Sequence, residues 1–471
     1  MRASLFAVTL WVPIASSALA GFDEDFTGST MRVDLFHSGH AELELVSLDQ
    51  VRIEGPWPGR RRQLVDPTGL GKYRFEVRDA ADGRVLYSQG YASIYGEWET
   101  TGPAAEGVVG TWEETLRFPE PRRPVEVVLA KRGAEEAFQE IWRTSVDPAS
   151  RFVHRAAVAP QDVRVLLDHG DPATKVDLLV LGDGYTAAEM EKFWTDAERA
   201  AGYLFAEEPF AGRRGDFNVR AIGTPARESG VSRPRAGIFR DSPLGATYNL
   251  FDSERYVLST DERAWRDVAA AASYDVVLIL VNDRQYGGGG IYGLYSTAAV
   301  DSGFARYLVV HEFAHHFAAL GDEYYTSDVA YQDFQGELAE PWEPNLTALA
   351  DPEHLKWRHL IEAGTLLPTP WEKDAYETAS RAFQEERRAL REAGAPEERL
   401  EELFRREREL FTRMLATQEH SGEVGAFEGA GYEAQGLYRP TIDCVMFTRD
   451  EVGFCPVCAG AIERIIDLHT R

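Results

Sequence analysis

The spacing of hydrophobic positions changes midway along the chain. Up to about residue 150 they alternate with polar ones: Leu43 and Leu45, Val51 and Ile53, then Tyr73, Phe75 and Val77, later Leu116 and Phe118, then Val125, Val127 and Leu129. A period of two puts one side of each segment into a core and the other into water, as in half-buried strands. Asp82-Gly83 supplies a hairpin turn into Val85-Leu86-Tyr87. The pattern predicts an antiparallel β-sandwich over residues 21–150, with His37 and His40 in loops or at the surface.

A linker over residues 151–173 separates this from a stretch in which strands and helices alternate. The unbroken apolar run at 176–181 reads as a buried strand, 217–222 as a second and 275–281 as a third. Thr186-Ala187-Ala188-Glu189 has the form of a capping box and opens a helix running toward Phe205. A further helix is expected over 261–273. Leu308, Val309, Phe313, Phe317 and Leu320 recur at helical spacing and predict a helix over 306–320, with Gly321 as its stop. Residues 371–418 read as two charged helical stretches broken at Gly394-Ala395-Pro396. In the second, Leu400, Leu403, Phe404, Leu410, Phe411, Met414 and Leu415 share one face. This insertion is expected to dock on the unit spanning 174–471, as a wall of the site or as a packed decoration. The fold class is thus α+β, an N-terminal sandwich followed by an α/β domain with a helical insertion.

Composition adds two constraints. With 471 residues, 44% of them hydrophobic, the chain can fill two cores. A net charge of −27 argues against nucleic acid or an anionic membrane as partner. Residues 1–20 read as a secretory signal peptide: Arg2, an apolar stretch at 5–14, and Ala18-Leu19-Ala20 before the cut. No later run reaches the ~18 apolar residues of a membrane span, so the mature protein is expected to be secreted or periplasmic. Nothing in the sequence sets the oligomeric state. In an oxidising compartment the three cysteines are expected to form a disulfide, Cys444 with Cys455 or Cys458, leaving one thiol over. Cys455-Pro-Val-Cys458 also has metal-ligand spacing, with His469 the local candidate for a further ligand.

The chemistry concentrates in His311-Glu312-Phe313-Ala314-His315. Two imidazoles four residues apart lie on one helix face and can grip one Zn2+ ion, while Glu312 between them can take the proton of an attacking water. His316 lies about 100° further round the helix, which argues against its being a ligand. Just past the helix end, Asp322 can fold back as a third ligand, with Glu323 as the alternative. Gly287-Gly288-Gly289-Gly290 precedes the helix and would let main chain approach closely, as an edge strand offered to substrate or as a loop.

HEFAHHFAALGDEYY, together with Leu181-Gly182-Asp183-Gly184-Tyr185-Thr186, Gly429-Ala430-Gly431-Tyr432, Gly436-Leu437-Tyr438-Arg439-Pro440, Asp443-Cys444-Val445-Met446 and Gly453-Phe454-Cys455-Pro456-Val457-Cys458, resembles the bacterial immunoglobulin-A metallopeptidase family of metzincin-like zinc peptidases. The resemblance implies a zincin-like catalytic domain, His311, His315 and Asp322 as zinc ligands, Glu312 as general base, Met446 in the turn beneath the metal, and a protein or peptide substrate. The chain departs from the wider metzincin pattern: Ala318 stands where a glycine is usual, and Asp322 lies one position late. Tyr324, Tyr432 and Tyr438 are candidates to donate to the oxyanion. Two other function classes stay open, a zinc-containing but catalytically silent binding protein and a zinc hydrolase of cell-wall peptides.

Overall fold

The computed structural model describes residues 21–133, 137–326, 339–450 and 452–471. The expected signal peptide, 1–20, lies outside the described residues. The N-terminal unit is β-rich. One four-stranded sheet runs Gly110–Pro121, Phe26–His40, Leu43–Pro56, Val153–His154, and the other Val85–Tyr91, Tyr73–Asp79, Val125–Arg132, Phe138–Val146. Met31, Val33, Leu35, Leu116 and Phe118 of the first sheet share one core with Tyr73, Phe75, Val77 and Val127 of the second. The turn at Asp82-Gly83 is present, with Gly83 at φ +76°. Of the expected linker, Val153–His154 pairs with Val51 and Arg52, and Val163–Leu167 joins the next sheet.

His37 departs from expectation. It sits in a strand, fully buried, with Nδ1 2.8 Å from Glu114 and Nε2 2.9 Å from Glu44, stacked on Tyr95. A strand position pointing inward buried it, and two carboxylates make the burial tolerable. Burial opposes its charge, but Glu114 and Glu44 outweigh that and lift its pKa to about 9.

The second unit is built on a six-stranded sheet ordered Gly288–Ile291, Tyr295–Ala299, Val276–Val281, Val176–Asp183, Phe217–Gly223, Val163–Leu167. The four inner strands are parallel and the two edge strands antiparallel. Period-two alternation divides the sheet between two cores: Leu178, Val180, Leu278 and Leu280 face the helices Met190–Leu204, Ala305–Ala318 and Pro456–Thr470, while Leu179, Leu181, Val277 and Ile279 face Trp265 and Tyr274. Both faces are covered, as parallel strands require. The capping box forms, Thr186 N–H donating to Glu189 at 2.8 Å. Asp261 caps the helix Glu262–Ala269. The insertion folds as two helices, Lys373–Glu392 and Glu397–Ala416, with Phe404 packed against Tyr286 and Phe304. Buried Arg32, paired with Asp34 and Glu54, also reaches Asp267 at 2.7 Å and ties the two units together.

Candidate metal centre

The helix Ala305–Ala318 is held over the sheet by a histidine that is not part of the cluster. His316 Nε2 accepts from Val277 N–H at 3.1 Å, and its Nδ1 donates to Ile291 O at 3.1 Å. Burial pushes its pKa down to about 3, so the ring is neutral and bolts the helix to two strands. The glycine run makes the close approach possible. A Cβ on Gly290 would stand 2.1 Å from Glu312 O, and one on Gly288 2.9 Å from Glu312 Cγ. Gly288–Ile291 is thus an edge strand, yet at Gly288 its outer side is already bonded to Arg255 O and Val257 N–H of the chain itself.

The helix does not stop at Gly321. Its last turn closes at Ala319, whose φ of +58° is left-handed and whose N–H bonds His315 O. That reversal brings Leu320 O back onto His315 Nδ1. Gly321 is needed for another reason, because a Cβ there would meet Leu346 at 2.5 Å.

Beyond the turn, Asp322 swings back beneath the histidines. His311 Nε2 and His315 Nε2 are 3.1 Å apart, and Asp322 Oδ1 lies 3.0 and 3.2 Å from them. His311 Nδ1 lies 3.0 Å from Val445 O, as His315 Nδ1 faces Leu320 O. A carbonyl can only accept, so each ring carries its hydrogen on Nδ1 and turns a bare Nε2 inward. Three lone-pair atoms then converge with no hydrogen among them, and Asp322 Oδ1 is buried without a hydrogen-bond partner. Such a cluster can hold a cation at its centre; the donor set and second-sphere carbonyls fit a divalent metal. The groups interact strongly: burial opposes a charge on His315 but Asp322 lifts its pKa to about 9, and the imidazoles hold Asp322 well below the usual carboxylate range against its own burial.

Glu312, half-buried one residue after His311, points to the same side as the glycine edge strand. Burial raises its pKa, with His311 and His315 opposing. Tyr432, at φ +69°, donates its hydroxyl to Asp322 Oδ2, and its oxygen is 3.4 Å from Tyr324 Oη. Arg255 donates to Tyr324 Oη at 2.7 Å. Tyr438 instead pairs its backbone with Thr347. Met446 is fully buried in a turn, its carbonyl accepting from Glu323 N–H at 2.9 Å. Arg255 carried no sequence signal, since only folding brings it beside Tyr324. A small cleft of ≈ 40 Å³ is lined by Arg255, Tyr307 and Tyr324 and, from the helical insertion, Glu407, Arg408 and Phe411; Tyr307 Oη lies 3.2 Å from His311 Nδ1.

Glu323 turns away from the histidines. It meets Cys444, Cys455 and Cys458, all of them free thiols, in a second buried group. The expected disulfide is therefore not formed, and the third-ligand alternative offered for Glu323 is not where its side chain lies. His469 sits eleven residues along the helix from Cys458, about 16 Å away, beside Asp275. Among the described residues no helix is long and apolar enough to cross a membrane.

Two family models cover nearly the whole chain. Residues 165–466 match the one described as IgA Peptidase M64, and residues 21–143 the one described as Peptidase M64 N-terminus. No curated protein matches the chain.

Proposed function

The chain belongs to the IgA peptidase M64 family, and we propose that it is an exported zinc-dependent endopeptidase with His311, His315 and Asp322 as metal ligands and Glu312 as general base. The observation that carries this is the convergence of two bare Nε2 atoms and a carboxylate oxygen within 3.0–3.2 Å, each ring oriented by a backbone carbonyl. Two nitrogens and one oxygen with a side left free is the donor set of catalytic zinc. A helix bearing two ligands, a third on the return loop and a buried methionine turn below support a metzincin-like placement of the catalytic domain. The signal-like pattern at 1–20 supports export, to the periplasm or beyond it.

Zinc held there supplies Lewis acidity, polarising the scissile carbonyl and acidifying a water. The remaining work falls to side chains. Glu312, its basicity raised by burial, takes the proton of the attacking water and delivers it to the departing amine nitrogen. Tyr324, held by Arg255, is the hydroxyl left to donate to the developing oxyanion, since that of Tyr432 is given to Asp322. Substrate is a protein or peptide chain; nothing in the site singles out immunoglobulin A. The cleft beside Tyr324, walled by the helical insertion, supports a role for that insertion in side-chain selection.

The test is digestion of a mixed protein substrate by wild type, by chelator-treated protein with and without added zinc, and by Glu312→Gln. Cleavage that chelation removes, zinc restores and Glu312→Gln abolishes is expected. Chelator-resistant cleavage, or full activity in Glu312→Gln, would overturn the assignment.

A further inference from the structure

Asp322 and Glu323 are consecutive residues of a segment outside the helices and strands, and their side chains enter different clusters. One joins the histidines; the other enters a pocket built from the C-terminal end of the chain. There Glu323, Cys444 and Cys458 are completely buried and Cys455 is 6% exposed. All four ligand atoms lie within 4.8 Å of one another. Cys444 Sγ and Cys458 Sγ are 3.9 Å apart, and Cys458 Sγ is 3.3 Å from Glu323 Oε1. With Zn–S bonds of about 2.3 Å, the edge of a regular tetrahedron is about 3.8 Å. A disulfide would need about 2.05 Å, and would leave the third sulfur and the carboxylate unexplained.

Two further observations point to a ligand. Glu323 Oε2 is buried without a hydrogen-bond partner. The sulfurs also accept from main chain as thiolates do: Cys455 N–H is 3.4 Å from Cys444 Sγ, and Cys458 N–H 3.4 Å from Cys455 Sγ. Cys455 caps the helix Pro456–Thr470, whose positive end faces the cluster. Asn345 donates to Glu323 Oε1 at 2.9 Å, and the buried guanidinium of Arg439 acts on Glu323 from nearby. We propose that Glu323, Cys444, Cys455 and Cys458 form a second metal site, a closed structural centre for zinc or another thiophilic divalent ion.

Three soft sulfurs and one oxygen fill a tetrahedron and leave no open position, which separates a structural from a catalytic centre. Its placement gives it work to do. Cys444 opens the turn that contains Val445, whose carbonyl orients His311, and Met446, whose carbonyl holds Glu323 N–H. A metal there would clamp the loop bearing Asp322 to that turn and to the last helix.

The test is metal content and thiol state of the full chain. Wild type should hold two equivalents of zinc, one lost in His315→Ala and the other in the double variant Cys455→Ser/Cys458→Ser. Cobalt-loaded His315→Ala should keep the intense visible bands of thiolate-bound cobalt. Unfolding without reductant but with chelator should release three reactive thiols. Should the double variant fail to fold, the cobalt spectrum and thiol count of the other two proteins decide. A single equivalent that His315→Ala removes, or a single reactive thiol after unfolding, would overturn this site and leave the proposed active centre standing. A single equivalent with thiolate bands that survives His315→Ala would support this site while the active-centre reading fails.

Discussion

Two clusters of side chains able to hold a metal meet at one peptide bond, and they differ in their exposure to water. Around Asp322 the histidine side chains are 3% and 14% exposed and the carboxylate 10%, three ligands that do not complete a tetrahedron. Around Glu323 four ligands close on themselves, and none is more than 6% exposed. A ligand set that leaves one side free can do chemistry; one that is complete can only hold. On the proposed assignments, the chain places a reactive centre and its anchor on successive residues, with the turn at Cys444-Val445-Met446 between them.

Neighbouring substitutions break the comparison most sharply. Asp322→Ala, like Glu312→Gln, should lower kcat/KM by about 10³-fold or more with little change in Tm, since general base and metal chemistry each carry factors of that order. Peptide hydrolysis and thermal melts on the same samples check it. Glu323→Gln should do the reverse, lowering Tm by roughly 5 °C or more while activity per folded molecule falls by less than ~10-fold. Equal effects of the two changes on both readouts would erase the distinction.

The N-terminal unit offers a contrasting histidine. His37 also lies between acidic groups, but both ring nitrogens face carboxylates, so it is an imidazolium and not a ligand. Its pKa is raised from 6.5 to about 9, so the stability it contributes is complete below 6.5 and is lost as pH rises through about 9. That shift corresponds to about 3 kcal/mol. Urea unfolding of wild type against His37→Gln should show the gap at pH 6 and its near disappearance above pH 9. The smallest effect is expected of Tyr432→Phe, which removes the hydroxyl that holds Asp322. A loss of roughly 10–100-fold in metal affinity is typical for such an outer partner, readable by competition with a zinc-sensitive dye.

How much of this was legible in the sequence follows from distance along the chain. The period-two strands, the capping box at Thr186 and the two histidines four apart are local patterns, and the structure places each on its expected element. The helix end is not legible, because Gly321 looks like a stop, whereas Ala319 takes the left-handed turn and is held there by the Leu320 carbonyl on His315. Burial of His37 was hidden because its compensating carboxylate, Glu114, is 77 residues away. The cysteine spacing was visible, but its fourth partner, Glu323, lies 135 residues before Cys458 and reads locally as part of the histidine motif. Tyr432 reaches Asp322 across 110 residues and Arg255 reaches Tyr324 across 69; only the fold makes these pairs.

The most direct test of the central claim is an anomalous difference map from crystals of zinc-loaded protein, recorded on both sides of the zinc absorption edge. The account predicts a peak between His311 Nε2, His315 Nε2 and Asp322 Oδ1 with no fourth protein ligand, and a second among Glu323 and the three sulfurs. Well-ordered histidines with no peak between them would contradict it.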